Sequence, residues 1–431
     1  MKYVSFALAL MLLPVHLFAD ITWTEHPIAP NYYNPWSVFG IDMDDDADLD
    51  VVASGRFGHR LSWWENDGDE NFTQHDISTT SSYAMGVYAI DIDEDSDVDV
   101  LCASQSNGVE LWVNQGDQTF VRQIIADWPY AHFVSVADVD SDDDTDVLAC
   151  CCEGGMNRMG WIENQGSLNF TDHIVISDWD HANSVQGVNL DSDQDMDLIG
   201  SASQAGEIAW FENDGSQNFT KHIILNTSAR PSCVCAADVN LDGAVDVLAT
   251  VCLSDQVLWF ENDGSESFTQ HVIGSGFQRP HCVVALDLDD DADVDVLGAA
   301  INSNQIAFWE NDGSEGFTKH SITSSFNGAT WIDVKDVDSD GDLDVLGAAQ
   351  FGNDITWWES NLTGVEEDAS QIIEQNVYVT TILEGPVRLP PGSTYRIFDI
   401  NGRQVTAANM KVGVYFIEKD GRITQKIVRV K

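Results

Sequence analysis

A nine-residue acidic segment recurs seven times along this chain at nearly constant intervals. It reads "DMDDDADLD" from Asp42, "DIDEDSDVD" from Asp91, "DVDSDDDTD" from Asp138, "NLDSDQDMD" from Asn189, "DVNLDGAVD" from Asp238, "DLDDDADVD" from Asp287 and "DVDSDGDLD" from Asp336, with starts 49, 47, 51, 49, 49 and 49 residues apart. A repeat of this length is one supersecondary unit that cannot bury its own apolar face, so successive units must stack against each other.

Each unit carries four β-rich runs around its acidic segment. Strand a holds Val38, Val87, Val134, Val185, Val234, Val283 or Ile332 four residues before the segment; strand b follows it, as in "DVLGAA"; strand c is aromatic, as in "LWFENDG"; strand d reads like "SFTQHVI". Adjacent aromatics on strand c, such as Trp63 with Trp64, Trp259 with Phe260 and Trp357 with Trp358, project to opposite faces because side chains alternate along a strand. A sheet apolar on both faces must lie between neighbours, which predicts an all-β, seven-bladed β-propeller. The last unit lacks a strand d, whereas "ITWTEHPI" precedes the first acidic segment and places His26 at the same spacing before Asp42 that His75 has before Asp91. The N-terminal strand is therefore expected to complete the last blade and close the ring. The histidine column of strand d falls one per blade, too dispersed for a shared metal site.

The acidic segments join strands a and b and hold 36 of the 72 acidic residues. Their mutual repulsion calls for a cation. Oxygen-bearing side chains occupy alternate positions: Asp42, Asp44, Asp46, Asp48 and Asp50; Asp91, Asp93, Asp95, Asp97 and Asp99; Asp138, Asp140, Asp142, Asp144 and Asp146; Asn189, Asp191, Asp193, Asp195 and Asp197; Asp238, Asn240, Asp242 and Asp246; Asp287, Asp289, Asp291, Asp293 and Asp295; Asp336, Asp338, Asp340, Asp342 and Asp344. In the fifth segment Ala244 stands at position 7, where a backbone carbonyl serves as ligand, as in the EF-hand. Many oxygens on a flexible loop suit Ca²⁺ better than Mg²⁺, so up to seven calcium ions are expected. Position 6 is glycine only at Gly243 and Gly341, which predicts turns elsewhere that are either less demanding or somewhat strained.

With 72 acidic and 19 basic residues the net charge is −53, yet 43% of residues are hydrophobic, so the chain is globular rather than a disordered acidic tail. Nucleic acid and anionic membrane surfaces are excluded as partners because both require basic patches. "MKYVSFALALMLLPVHLFAD" has the layout of a secretory signal cleaved after Ala19, and no transmembrane segment is expected. The eight cysteines lack zinc-ligand spacing and lie in apolar runs, as small core residues do. Beyond Asn361 the composition turns nearly neutral and β-rich, with "NG" and "DG" turns, which predicts a linker and a small separate β-sandwich-like domain over 361–431.

On these motifs the repeats resemble the FG-GAP or VCBS repeats of integrin-α-type propellers over residues 20–360, which implies calcium loops and roles in adhesion, glycan binding or scaffolding. The C-terminal "YRIFDINGRQV", "VGVYFI" and "QKIVRVK" resemble a type IX secretion sorting domain. That resemblance implies export through type IX machinery to the outer surface or the medium; a sugar-binding β-sandwich is the alternative.

Ligand-binding candidates gather on the d-a connections, at the end of the propeller opposite the acidic loops. They are Trp36, Trp128, Trp179 and Trp331, with Tyr83, Tyr130, His181, Arg230 and Arg279 eight residues before the loops and His132 and His281 six before. Flat aromatics stack on sugar rings and Arg or His orient them, so a non-catalytic module for an extracellular glycan or protein is expected. A polysaccharide lyase using the same residues, and a purely structural surface protein, are the competing readings.

Overall fold

The computed structural model describes residues 20–152, 157–191, 193 and 195–363, and five strands between Thr380 and Arg429. The expected secretory segment and Gln194 at position 6 of the fourth loop lie outside the described residues. Residues up to Thr363 form one compact unit and those from Gly364 a second.

The first unit is a seven-bladed β-propeller of four-stranded antiparallel sheets. Blade 1 comprises Pro35–Ile41, Asp50–Gly55, Arg60–Asn66 and Phe72–Ser78 as strands a to d. Blades 2 to 6 start at Ala84, Ala131, Ala182, Pro231 and Pro280. Blade 7 takes Ala329–Lys335, Asp344–Ala349 and Asp354–Thr363, and its outer strand is Asp20–Pro27, paired antiparallel from Asp20↔Thr363 to Pro27↔Thr356. The a strands neighbour one another in a closed circle, blade 7 returning to blade 1.

Burial follows radius and explains the composition of each strand. Every strand b is buried along its whole length, while strand d of blade 1 alternates exposed and half-buried residues before its buried end. The paired aromatics of strand c are buried on both faces. Each histidine of the outer column stacks on the strand-c aromatic opposite it, with centroids 4.4 to 4.8 Å apart. Its Nε2 lies 2.7 to 2.8 Å from a strand-c glutamate, as in His75 with Glu65. These histidines staple strand d to strand c.

All eight cysteines are free thiols, six of them buried. The second unit is described as one five-stranded sheet in the order Thr380–Leu383, Arg422–Arg429, Gly413–Lys419, Tyr395–Asp399, Gln404–Val405, with only the first pair parallel. No helix of the described residues is long and apolar enough to cross a membrane.

Candidate functional sites at the two ends of the propeller

The acidic loops share one scaffold. In loop 1 the carboxylate of Asp42 accepts the amides of Asp46 and Ala47, and Asp46 accepts the amide of Asp48, at 2.9 to 3.2 Å. Position 9 opens strand b and is buried in all seven loops. Its two oxygens clamp the amide of position 2 and the amide that ends strand c, as Asp50 does with Met43 and Asn66. Burial pushes Asp50, Asp99, Asp146, Asp295 and Asp344 up to about 7, and Asp197 and Asp246 to about 6. Strand-c asparagines carry the order between blades: the side-chain amides of Asn164, Asn213, Asn262 and Asn311 donate to position-2 carbonyls of the preceding blade.

Five loops bring three carboxylates within 4.8 Å of one another: Asp42, Asp44, Asp50; Asp91, Asp93, Asp99; Asp138, Asp140, Asp146; Asp287, Asp289, Asp291; and Asp336, Asp338, Asp344. The same five loops each hold a buried carboxylate oxygen with no hydrogen-bond partner, on Asp44, Asp93, Asp140, Asp289 and Asp336. A buried anionic oxygen without a partner is costly, and a divalent cation at the cluster supplies the missing counter-charge. The residues therefore fit a hard cation in these five loops. Among the described residues, the fourth and fifth loops form no such cluster; their asparagines, Asn189 and Asn240, stand where the others have aspartate. Position 7 side chains are absent from all five clusters: Asp48, Asp97 and Asp293 lie beside the glycine of the c-d turn instead, as Asp195 does in the fourth loop. Position 6 is left-handed in every described loop, with φ of 74° to 77° at Ala47, Ser96, Asp143 and Ala292, so the turn is as demanding without glycine as with it.

The opposite end is built from three rings. The first comprises Asn34, Tyr83, Tyr130, His181, Arg230, Arg279 and Gly328, all left-handed. Each carbonyl accepts the amide of the residue after strand b, from Arg56 N to Asn34 O through Gln350 N to Gly328 O, at 2.9 to 3.2 Å. This conserved geometry suits Asn34 and Gly328, whereas bulky residues occupy the other five places at a conformational cost. Two residues later each strand a carries a register shift that turns a side chain inward: Trp36, Met85, His132, Asn183, Ser232, His281 or Thr330. The residues after strand b, among them Arg56, Gln105, Cys152, Ser203 and Cys252, form the third ring.

Together these rings line a cavity of about 520 Å³ with side chains from six blades, which places it on the propeller axis. Trp36 meets both His132 and His281 edge to face, at 5.7 and 5.1 Å, and the Arg56 guanidinium lies 4.9 Å above its ring. His132 Nδ1 lies 3.1 Å from the Asn183 carbonyl and His281 Nδ1 3.1 Å from that of Thr330. A carbonyl only accepts, so Nδ1 carries the proton and Nε2 is the acceptor. Burial first, then like charge including Arg56, lowers His132 to about 4 and His281 to about 3, so both rings are neutral at physiological pH.

The cavity brings together Trp36, His132, His181, Arg230, Arg279 and His281 of the expected site. Trp128 and Trp179 are corrections: they are 1% and 2% exposed and cannot offer a face to a ligand. They belong to a buried column with Tyr32, Phe277 and Phe326, in which Trp179, Tyr32, Phe277 and Phe326 meet strand-c aromatics edge to face at 4.8 to 5.3 Å. Trp128 and Trp179 also donate their indole N–H to Asp172 and Glu207. Trp331 is displaced too: it packs against Phe133 beside a second axial cavity, of about 310 Å³, lined by mid-strand residues. Tyr83 and Tyr130 remain at the surface, each 37% exposed. Residues the sequence reading missed lie in the b-c turns, notably Arg56, Phe57 and His59; Tyr83 packs against the last two at 5.9 and 4.9 Å. A basic or aromatic residue just after strand b was the available signal.

A family model of the FG-GAP-like repeat matches residues 42–102, 91–149, 189–249 and 287–347, more than half of the chain, and the chain belongs to that family. No curated protein matches it. Among solved structures, streptogramin B lyase is similar with a TM-score of 0.58 and 13% identity, covering 79% of this chain and 98% of that one. Virginiamycin B lyase from Staphylococcus aureus gives 0.56 and 14%, covering 79% and 99%, and BBS1N in complex with ARL6DN gives 0.55 and 11%, covering 79% and 98%. At these identities the likeness shows the propeller fold alone.

Proposed function

We propose that this protein is a calcium-stabilised binding module that captures a glycan in the axial cavity. The observation that carries the reading is convergence: equivalent backbone positions in different blades hold unlike polar, cationic and aromatic side chains, and these meet in one cavity. A purely structural role would favour uniform residues, as at position 9 of the acidic loops, a buried aspartate in every blade. Exposed Tyr33, Phe57, Tyr83, Tyr130 and Phe351 all lie at this same end, where aromatic faces extend a saccharide site beyond its centre. Calcium in up to seven loops fixes the other end of the blades, the five convergent clusters being the strongest sites.

Export and sorting to the cell surface or medium through type IX machinery are part of the same proposal, supported by the leader-like first residues and the C-terminal motifs. A glycan array probed with the full chain in calcium tests the binding reading. Retention of an oligosaccharide that is lost in Arg56→Ala and Tyr130→Ala supports it, and a blank array removes it.

The lyase reading draws on the acceptor nitrogen Nε2 of His132 and His281 in the cavity lining, a base suited to taking the proton beside a uronate carboxylate while the glycosidic oxygen departs and a C=C bond forms. Their depressed proton affinities argue against it, because a useful general base has a pKa near the working pH. Release of unsaturated sugar, read by ultraviolet absorbance, would restore it.

A further inference from the structure

The propeller holds few cations, and their placement is uneven. Between residues 20 and 363 the basic residues are Arg56, Arg60, Arg122, Arg158, Lys221, Arg230, Arg279, Lys319 and Lys335. Arg60, Arg122 and Lys221 form ion pairs with Asp76, Glu110 and Glu207 on the blades. Arg56, Arg230 and Arg279 instead line the axial cavity. Among the described residues, neither Arg230 nor Arg279 forms an ion pair, in a chain with 72 acidic residues to choose from. Both sit at left-handed backbone positions, with φ of 61° and 53°, where Gly328 occupies the equivalent place in blade 7. Two neighbouring blades thus place an arginine where the backbone disfavours one.

The acidic end does not cancel this local field. Strand a is seven residues long, as in Pro35–Ile41, so the loops lie about 23 Å from the cavity, nearly three times the roughly 8 Å Debye length at physiological ionic strength. Among the described residues, the charged groups that line the cavity are three guanidiniums and the Asp255 carboxylate, of which Asp255 already accepts the Arg279 amide. The remaining lining includes the neutral acceptors His132 and His281, with Asn183, Ser232 and Gln105, groups that suit sugar hydroxyls.

Resting on the glycan reading above, we infer that the ligand is an acidic saccharide whose carboxylate or sulfate is held by Arg230 and Arg279, with Arg56 over Trp36 closing the far side. Arginine matches either anion with paired N–H donors, whereas lysine would act as a point charge.

The test is calorimetric titration of the full, calcium-loaded chain with a uronate hexasaccharide, its fully methyl-esterified form and a sulfated neutral hexasaccharide. Binding of the uronate or the sulfated sugar, with the ester weaker by about tenfold or more, supports the inference, and the stronger of the two anions identifies its source. The double variant Arg230→Gln with Arg279→Gln should lose that preference while keeping its melting temperature. Equal binding of acid and ester, or an unaltered preference in the double variant, overturns the acidic-saccharide inference and leaves the glycan reading intact. Binding of none of the three, together with a blank glycan array, overturns both.

Discussion

The two ends of this propeller are both rings of sevenfold-repeated backbone, and they differ in what the repeats do with it. At the acidic end the side chains are repeated with the backbone: position 9 is a buried aspartate in every blade, with the same amide clamp. At the axial cavity the backbone is equally constant, with the same left-handed residue and the same hydrogen bond in every blade, while the side chains change from Asn34 and Gly328 to Tyr130, His181 and Arg279. Repetition of both chemistry and geometry marks the part that holds the blades. Repetition of geometry alone marks a platform on which different groups are displayed.

Calcium removal should give the largest effect. At free calcium about a hundred times Kd, each occupied loop adds roughly 2.7 kcal/mol, and five loops form convergent clusters. Chelation followed by differential scanning calorimetry should lower Tm steeply; an unchanged Tm would place the stability of the acidic end elsewhere. In the chelated protein the pH dependence has a definite sign. The position-9 carboxyls are raised from 3.8 to about 6 or 7, so their contribution is fully present below pH 3.8 and is lost as pH rises through 6 to 7. Denaturation in chelator should therefore show greater stability at pH 5 than at pH 8, with saturating calcium opposing that loss. A rise in stability across that interval without calcium would contradict the burial assigned to these groups.

Trp179→Ala should cost about 3 to 5 kcal/mol in urea denaturation, as truncation of a buried aromatic does. Tyr130→Ala, two residues from the equivalent Trp128, should stay within about 0.5 kcal/mol, as surface substitutions do. Similar values for the two would erase the distinction between staple and platform. Asp140→Ala should remove one calcium equivalent and about 2.7 kcal/mol at the same saturation, whereas Asp242→Ala, in a loop without a cluster, should leave the stoichiometry of the strong sites unchanged. Metal analysis after gel filtration counts the ions. A small effect of opposite sign is expected for Arg230→Gly: relief of the left-handed backbone should leave stability unchanged or raised by up to about 1 kcal/mol. A clear loss of stability would mean that Arg230 holds the blades rather than serving the cavity.

Much of this architecture was legible in the chain because it depends on spacing along one strand or one loop. The blade count follows from the acidic period, the closing strand from the offset of His26, and the carboxylate-rich loops that could hold a cation from alternate aspartates. The asparagines of the fourth and fifth loops, Asn189 and Asn240, stand in the two loops without a described cluster. Which carboxylates converge was not legible: four clusters use position 9, whose placement is fixed by amides of strand c, whereas the sixth loop gathers positions 1, 3 and 5 instead. The site at the axis was half legible: the offsets of Arg230, Arg279, His132 and His281 were visible, while Arg56 enters from a different turn of the blade.

The clearest division runs through five residues of blade 3. Sequence alone determined that Trp128, Tyr130 and His132 recur at fixed offsets and belong to one connection. Only the tertiary structure decided that Trp128 is buried within the packed blades, Tyr130 stands at the surface and His132 faces the axis. The physical reason is the backbone between them. A left-handed residue at Tyr130 and a register shift at His132 break the two-residue alternation that a strand would impose, and carry three side chains of equal spacing into three different surroundings.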